Sequence, residues 1–60
     1  MLAGLPGDPV ILLGAVNTKL RDFYPSLEML CDDMQIDRDE LSEKLAAIDY
    51  TYDAERNQFV

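Results

Sequence analysis

Acidic side chains dominate the chemistry available to this chain. The 60 residues include 12 acids, no histidine and a single cysteine, Cys31. This composition excludes an internal zinc site of the usual kind, a Cys–His nucleophile pair and a histidine general base. The remaining candidate metal ligands form an acidic run: Asp32, Asp33, Asp37, Asp39 and Glu40. The run lacks the spacing and the glycine of a calcium loop, so we expect no metal, cofactor or catalytic residue. A divalent-cation binder remains the second alternative function.

The length of the chain argues against an enzyme. Paired carboxylates can act as general acid and base, but they need a pocket that shifts their pKa values. Sixty residues form one small domain with a core near the lower limit for independent folding. We therefore predict a non-enzymatic protein.

The net charge of −7 is unevenly distributed. Residues 1–24 are balanced, whereas residues 25–49 contain eight acids and two bases, a net charge of −6. Such a surface repels nucleic acid and anionic membranes and favours a basic protein partner. The longest apolar run, residues 9–13, is too short to span a bilayer, and no basic segment precedes an apolar one at the N-terminus. These features predict a cytoplasmic protein without membrane contact.

Local signals divide the chain into five segments. Three polar residues are suited to cap helices: Asp8 before Pro9, Ser26, and Asp37 with Glu40 in a capping-box spacing. After them, apolar residues recur at helical spacing, and the C-terminal residues alternate as in a β-hairpin. The predicted segments are an irregular lead-in (residues 1–7), in which Leu2 and Leu5 pack on the core, helices (8–23, 26–34 and 37–49) and a hairpin (50–60).

Each predicted helix has an apolar side. The first carries the largest set: Val10, Leu12, Leu13, Val16, Leu20, Phe23 and Tyr24. The second and third carry shorter stripes: Leu27, Leu30, Cys31 and Met34, then Leu41, Leu45 and Ile48. We expect Cys31 to be a core residue rather than a reactive thiol.

This order predicts a mainly α domain with a small β-hairpin: a three-helix, helix-turn-helix (winged-helix-like) domain closed by a C-terminal two-stranded hairpin. Two residues depart from that pattern. Gln35 stands where the turn commonly has glycine, and Asp49 stands where glycine often precedes the wing.

The outward face of the third helix opposes a DNA-binding function. Three of its residues are acids and none is a base: Asp39, Glu40, Ser42, Glu43, Ala46 and Ala47. Arg38 and Lys44 flank the buried stripe. Because phosphate neutralisation supplies most non-specific affinity, this face argues against nucleic acid as a partner. A DNA-binding transcriptional regulator of winged-helix type is the alternative to our leading hypothesis, a protein-interaction module.

Five residues form the candidate partner surface: Ile11, Ala15, Met29, Asp39 and Glu43. The three apolar members would suit a homodimer or a partner helix if they converge, and the acids would suit a basic partner. Two polar residues are candidates for a structural role. Asn17 lies within an apolar arc and bonds either to loop or hairpin backbone or to a partner, and Arg21 could pair with Asp53 or Glu55 of the hairpin.

Several short motifs resemble one family of short bacterial proteins, the domain of unknown function 4250. They are Asp8-Pro9-Val10 with Leu12-Leu13, the run from Val16 to Asp22 with Tyr24, Ser26-Leu27, Leu30-Cys31, Lys44-Leu45 with Ile48, Tyr50, Tyr52-Asp53, and Asn57 to Val60. The resemblance covers nearly the whole chain. It implies no activity, cofactor or site residue, and it implies that the hairpin ends the protein.

Overall fold

Three helices are followed by a two-stranded antiparallel hairpin in the computed structural model, which describes residues 4–60. The elements are α1 (Pro9–Asp22), α2 (Leu27–Met34), α3 (Arg38–Ala46), β1 (Tyr52–Asp53) and β2 (Gln58–Phe59). The predicted class, mainly α with a small hairpin, is confirmed. In the predicted lead-in, Leu5 packs against the core. Leu2 lies outside the described residues.

All three helices begin at a side-chain cap. The Asp8 carboxylate accepts hydrogen bonds from the backbone N–H groups of Val10 and Ile11, and Pro9 follows it at the first helical position. Ser26 caps α2 through the N–H of Met29, and Asp37 caps α3 through two N–H groups. Each cap satisfies donors that have no partner within the helix.

Helices α2 and α3 end in the same way. Gln35 (φ 55°) and Asp49 (φ 67°) adopt left-handed backbone. In both cases the backbone N–H of the next residue donates a hydrogen bond to the carbonyl oxygen five residues earlier. Ile36 donates to Cys31 (2.9 Å), and Tyr50 donates to Leu45 (3.0 Å). This pair of features is the Schellman motif, which normally uses glycine. Helix α3 ends at Ala46 rather than at the predicted residue 49, because residues 47–49 form the turn that closes with the left-handed Asp49.

The core is built from one face of each helix and one hairpin residue. Its buried members are Leu12, Val16, Leu20, Leu27, Leu30, Cys31, Ile36, Leu41, Leu45 and Phe59. Tyr24, Met34 and Ile48 are half-buried against this cluster. Val10 and Phe23, predicted on the buried side of α1, are instead 66% and 72% exposed. Val10 lies about 160° around the helix from Leu12, and Phe23 has already left helical geometry (φ −126°).

The hairpin pairs Tyr52 with Phe59 and Asp53 with Gln58. The Tyr52 and Phe59 rings are in tilted contact, with centroids 5.5 Å apart. Asp53 shapes the loop by accepting hydrogen bonds from the N–H groups of Glu55 and Arg56. In the part of the chain that is described, no helix combines the length and apolar character needed to cross a bilayer.

Candidate functional site

Asn17 joins α1 to the hairpin. Its Oδ1 accepts a hydrogen bond from the Phe59 N–H (2.8 Å), and its Nδ2 donates to the Phe59 carbonyl oxygen (3.1 Å). The amide therefore pairs with both polar groups on the outer edge of β2, as a neighbouring strand would. Both polar atoms of the Asn17 side chain are thus bonded to hairpin backbone, which is one of the two roles that the sequence allowed.

Asn57 forms a second junction, at the end of α1. Its Nδ2 donates to the carbonyl oxygens of Leu20 (3.0 Å) and Tyr24 (2.9 Å). Its Oδ1 accepts a hydrogen bond from the Tyr52 hydroxyl (2.6 Å). Asn57 has left-handed backbone (φ 53°), which asparagine tolerates better than most residues. One side chain thus satisfies two carbonyl groups in the last turn of α1 and beyond it.

The Tyr52 hydroxyl extends this junction to α2. It accepts a hydrogen bond from the Leu27 N–H (3.2 Å) while it donates to Asn57. Leu27 is the first residue of α2, and its N–H has no partner within the helix. The end of α1, the start of α2 and the hairpin are therefore linked by two polar side chains.

A groove of about 390 Å³ lies beside these junctions, between α1 and the hairpin. Its lining consists of Leu20 and six polar residues: Asn17, Thr18, Arg21, Arg56, Asn57 and Gln58. The lining holds two of the five cationic residues in the chain and none of its 12 acids. The lining side chains thus carry two positive charges, and the acids that pair with them, Asp22 and Asp53, lie outside the lining.

Arg21 does not pair with Asp53 or Glu55, so the predicted link to the hairpin is wrong. Its Nε and Nη2 donate instead to both carboxylate oxygens of Asp22, at 2.9 and 3.0 Å. The bidentate contact lowers the pKa of Asp22, first through the hydrogen bond and also through the opposite charge. An adjacent residue competes well for this guanidinium because pairing with it orders little additional chain. Asp53 pairs loosely with Arg56, at 3.8 Å.

The five residues of the candidate partner surface lie on three helices. Ile11 is exposed and Ala15 is half-buried, four residues apart on α1. Met29 is exposed on α2, between Glu28 and Asp32 in a shallow depression. Asp39 and Glu43 are exposed, four residues apart on α3. The spacing of four gives each pair a common helix face.

The exposed side of α3 carries the charge that the sequence predicted. Leu41 and Leu45 are buried, whereas Asp39 and Glu43 are exposed. Arg38 is held near α2 by an ion pair with Glu28 at 3.4 Å. Within residues 4–60, no group of three or more acidic or thiol side chains comes together in a way that could hold a metal ion.

Tyr24, two residues after the end of α1, makes a separate contact with α2. Its hydroxyl donates to Asp33 Oδ2 at 2.6 Å, which raises the pKa of Tyr24 because ionisation would break the bond and place two negative charges together. Burial raises the pKa of the Cys31 thiol. Cys31 is a free, buried cysteine in the core, so its thiol has neither the access nor the ionisation that reactivity requires.

Sequence reasoning missed the roles of Tyr52, Arg56 and Asn57. One signal was present for Asn57, because an asparagine after a polar loop is suited to left-handed backbone. Nothing local identified the Leu20 and Tyr24 carbonyl groups as its acceptors, since they lie 37 and 33 residues away.

A family profile described as Domain of unknown function (DUF4250) matches residues 6–59. No curated protein and no solved structure matches the chain.

Proposed function

The chain belongs to the family called domain of unknown function 4250, and we propose that it is a non-enzymatic protein-interaction module on a helix-turn-helix-like scaffold. The supporting observation is the outward face of α1. Val10 and Ile11 are 66% and 62% exposed there, and Met29 of α2 is 54% exposed. Val10 and Ile11 are neighbours on one helix, and adjacent apolar side chains left in water favour association with another surface.

Gly14 lies on the same face of α1 and has no evident function within the chain. A Cβ atom built at this position would meet nothing within 4 Å, so no close packing requires glycine. Glycine inside a helix costs about 1 kcal/mol relative to alanine. A close approach by a helix from another molecule would account for it.

A second copy of the chain is the partner that charge favours at this face. Helix α1 with its cap contains Lys19 and Arg21 against Asp8 and Asp22, and so has no net charge. Two copies meeting through α2, with three acids and no base, would repel each other. An antiparallel pair crossing at Gly14 brings the Arg21 end of one helix to the Asp8 end of the other. The exposed acids Asp39 and Glu43 remain available to a basic protein.

The proposal is tested by measuring molecular mass at equilibrium by analytical ultracentrifugation across a range of concentrations. Wild type is expected to dimerise, and Ile11→Glu to be monomeric because each interface would bury two carboxylates. Gly14→Ala is the more specific variant, because its two expected effects are opposite. It should stabilise the monomer by about 1 kcal/mol while weakening the dimer. Phe23→Glu is the matched control, because it charges an exposed apolar residue outside the proposed face.

Monomeric behaviour at millimolar concentration would remove the homodimer. The interaction module itself would be abandoned if, in addition, affinity purification from the native organism recovered no partner whose retention depends on Ile11 or on Glu43. We propose that the interaction occurs in the cytoplasm, where a single thiol such as Cys31 stays reduced.

DNA binding is the competing function, and the three-residue turn between α2 and α3 is the feature that favours it. The acids on the exposed side of α3 oppose it, because they add repulsion where a recognition helix needs cations. Fluorescence anisotropy with genomic fragments at low salt separates the two proposals. Salt-sensitive binding that is lost in Arg38→Gln would favour DNA, and no binding would favour the interaction module.

A further inference from the structure

We infer that the groove between α1 and the hairpin binds the phosphate group of a small organic phosphate. The groove is a different feature from the apolar face of α1, and the inference does not depend on the interaction module. It rests on the type of side chain in the lining, the donors that remain unused, and the volume.

The cations in the groove come from two elements. Arg21 is in α1 and Arg56 is in the hairpin loop, and their side chains are 74% and 70% exposed. The hydrogen bonds between Asn17 and Phe59 hold α1 against β2, so the backbones that carry the two arginines are joined. A ligand with two negative charges can be attracted by both guanidinium groups together.

Hydrogen-bond donors remain available in the groove. Asp22 occupies two N–H groups of Arg21, and a guanidinium has five. Arg56 lies 3.8 Å from Asp53, which is too long for a hydrogen bond. Among the described residues, the Thr18 hydroxyl and the Gln58 side-chain amide make no hydrogen bond within the protein. Asn57 uses both N–H groups of its amide, and both polar atoms of the Asn17 amide bond to Phe59, so neither residue is counted among these donors.

Charge and volume select the ligand class. A phosphate monoester carries nearly two negative charges at neutral pH and has three acceptor oxygens. This matches the two arginines better than a monocarboxylate does. The groove volume of about 390 Å³ is larger than a phosphate group alone and lies within the range of small-molecule pockets. The described lining has no aromatic ring on which a nucleobase could stack, which favours an aliphatic phosphate.

The test is an NMR titration of the full chain at low salt with glycerol phosphate, inorganic phosphate and, for comparison, malonate. Glycerol phosphate should shift the Gln58 side-chain amide and the backbone signals of Thr18 and Arg56. Arg21→Gln and Arg56→Gln should each weaken binding by about tenfold, since a hydrogen bond to a charged group contributes on that order. Arg38→Gln is the matched control, because Arg38 lies outside the groove and should leave affinity unchanged.

Three results would overturn the inference. The first is the absence of shifts at these residues with either phosphate. The second is an equal loss of affinity in Arg38→Gln, which would indicate general attraction by cations. The third is malonate binding as tightly as glycerol phosphate, which would remove phosphate as the ligand class. Because Arg21 and Arg56 are largely exposed, their glutamine variants should retain the wild-type circular dichroism spectrum.

Discussion

Asn57 connects the hairpin to the helices through one side chain. Its amide bonds to the carbonyl groups of Leu20 and Tyr24 and to the Tyr52 hydroxyl, and its backbone is left-handed. The side chain and the backbone therefore make separate contributions to stability. Substitution can distinguish them.

We expect Asn57→Gly to lower the free energy of unfolding by about 2 kcal/mol, because it removes three hydrogen bonds. Asn57→Ala should cost about 1 kcal/mol more, since alanine is strained in left-handed backbone and glycine is not. Urea unfolding followed by circular dichroism measures both. Gln58→Ala is the control, with an expected change below about 0.5 kcal/mol. If alanine and glycine had the same effect at residue 57, the backbone contribution would be refuted.

At the scale of elements, the caps explain why the helices start where they do, and two left-handed residues explain where α2 and α3 end. Gln35 and Asp49 take the backbone conformation that glycine adopts most readily. Both positions depart from the helix-turn-helix pattern in residue type. Their backbone conformation is nevertheless the one that glycine would have there. The non-glycine residues therefore lower stability without changing the path of the chain.

Gln35→Gly should therefore raise the free energy of unfolding by about 0.5–1 kcal/mol, the relief of left-handed strain less the added freedom of the unfolded chain. Gln35→Ala keeps the strain and serves as the control, with little change expected. The urea concentration at the unfolding midpoint of each variant measures the change. A glycine variant that is less stable than wild type would mean that the Gln35 side chain itself stabilises the turn.

The contact between Tyr24 and Asp33 makes the α1–α2 packing sensitive to alkaline pH. The pKa of Tyr24 is raised in the folded protein, so its stabilising contribution is complete below the ordinary tyrosine value of about 10. It is lost as the pH rises through the higher folded value. As the pH is raised from neutral to alkaline, the urea concentration at the unfolding midpoint should fall less in Tyr24→Phe than in wild type. Tyr50→Phe, a matched control, should follow wild type, and identical curves for all three proteins would exclude the effect.

For the whole molecule, the excess of acids over bases predicts net electrostatic repulsion. The net charge is −7, and the ion pair between Arg38 and Glu28 is exposed, with its atoms 3.4 Å apart. An exposed pair of this kind contributes about 0–1 kcal/mol at most, so screening should relieve more repulsion than attraction.

We therefore expect the thermal midpoint to rise as sodium chloride is increased from low to moderate concentration. Glu43→Gln should show a smaller rise, because it removes one exposed acid from α3. Differential scanning calorimetry at fixed pH measures the trend. A midpoint that falls with added salt would show that the ion pairs outweigh the repulsion.

The sequence by itself determined the local features of this protein. The caps at Asp8, Ser26 and Asp37 involve residues two or three positions apart, and the apolar spacing follows from helix geometry, so the number, type and starting points of the helices were predictable. The same is true of the hairpin and of the acidic side of α3.

Only the tertiary structure decided which polar groups meet. The bonds that Asn17 makes with Phe59, and Asn57 with Leu20 and Tyr24, span 33 to 42 residues, and no local pattern encodes such partners. The sequence analysis likewise allowed Arg21 to pair with Asp53 or Glu55 of the hairpin, whereas Arg21 pairs with its neighbour Asp22. Arg21 and Arg56 belong to one groove because α1 and β2 pack together, a relation that depends on how the whole chain buries its apolar side chains.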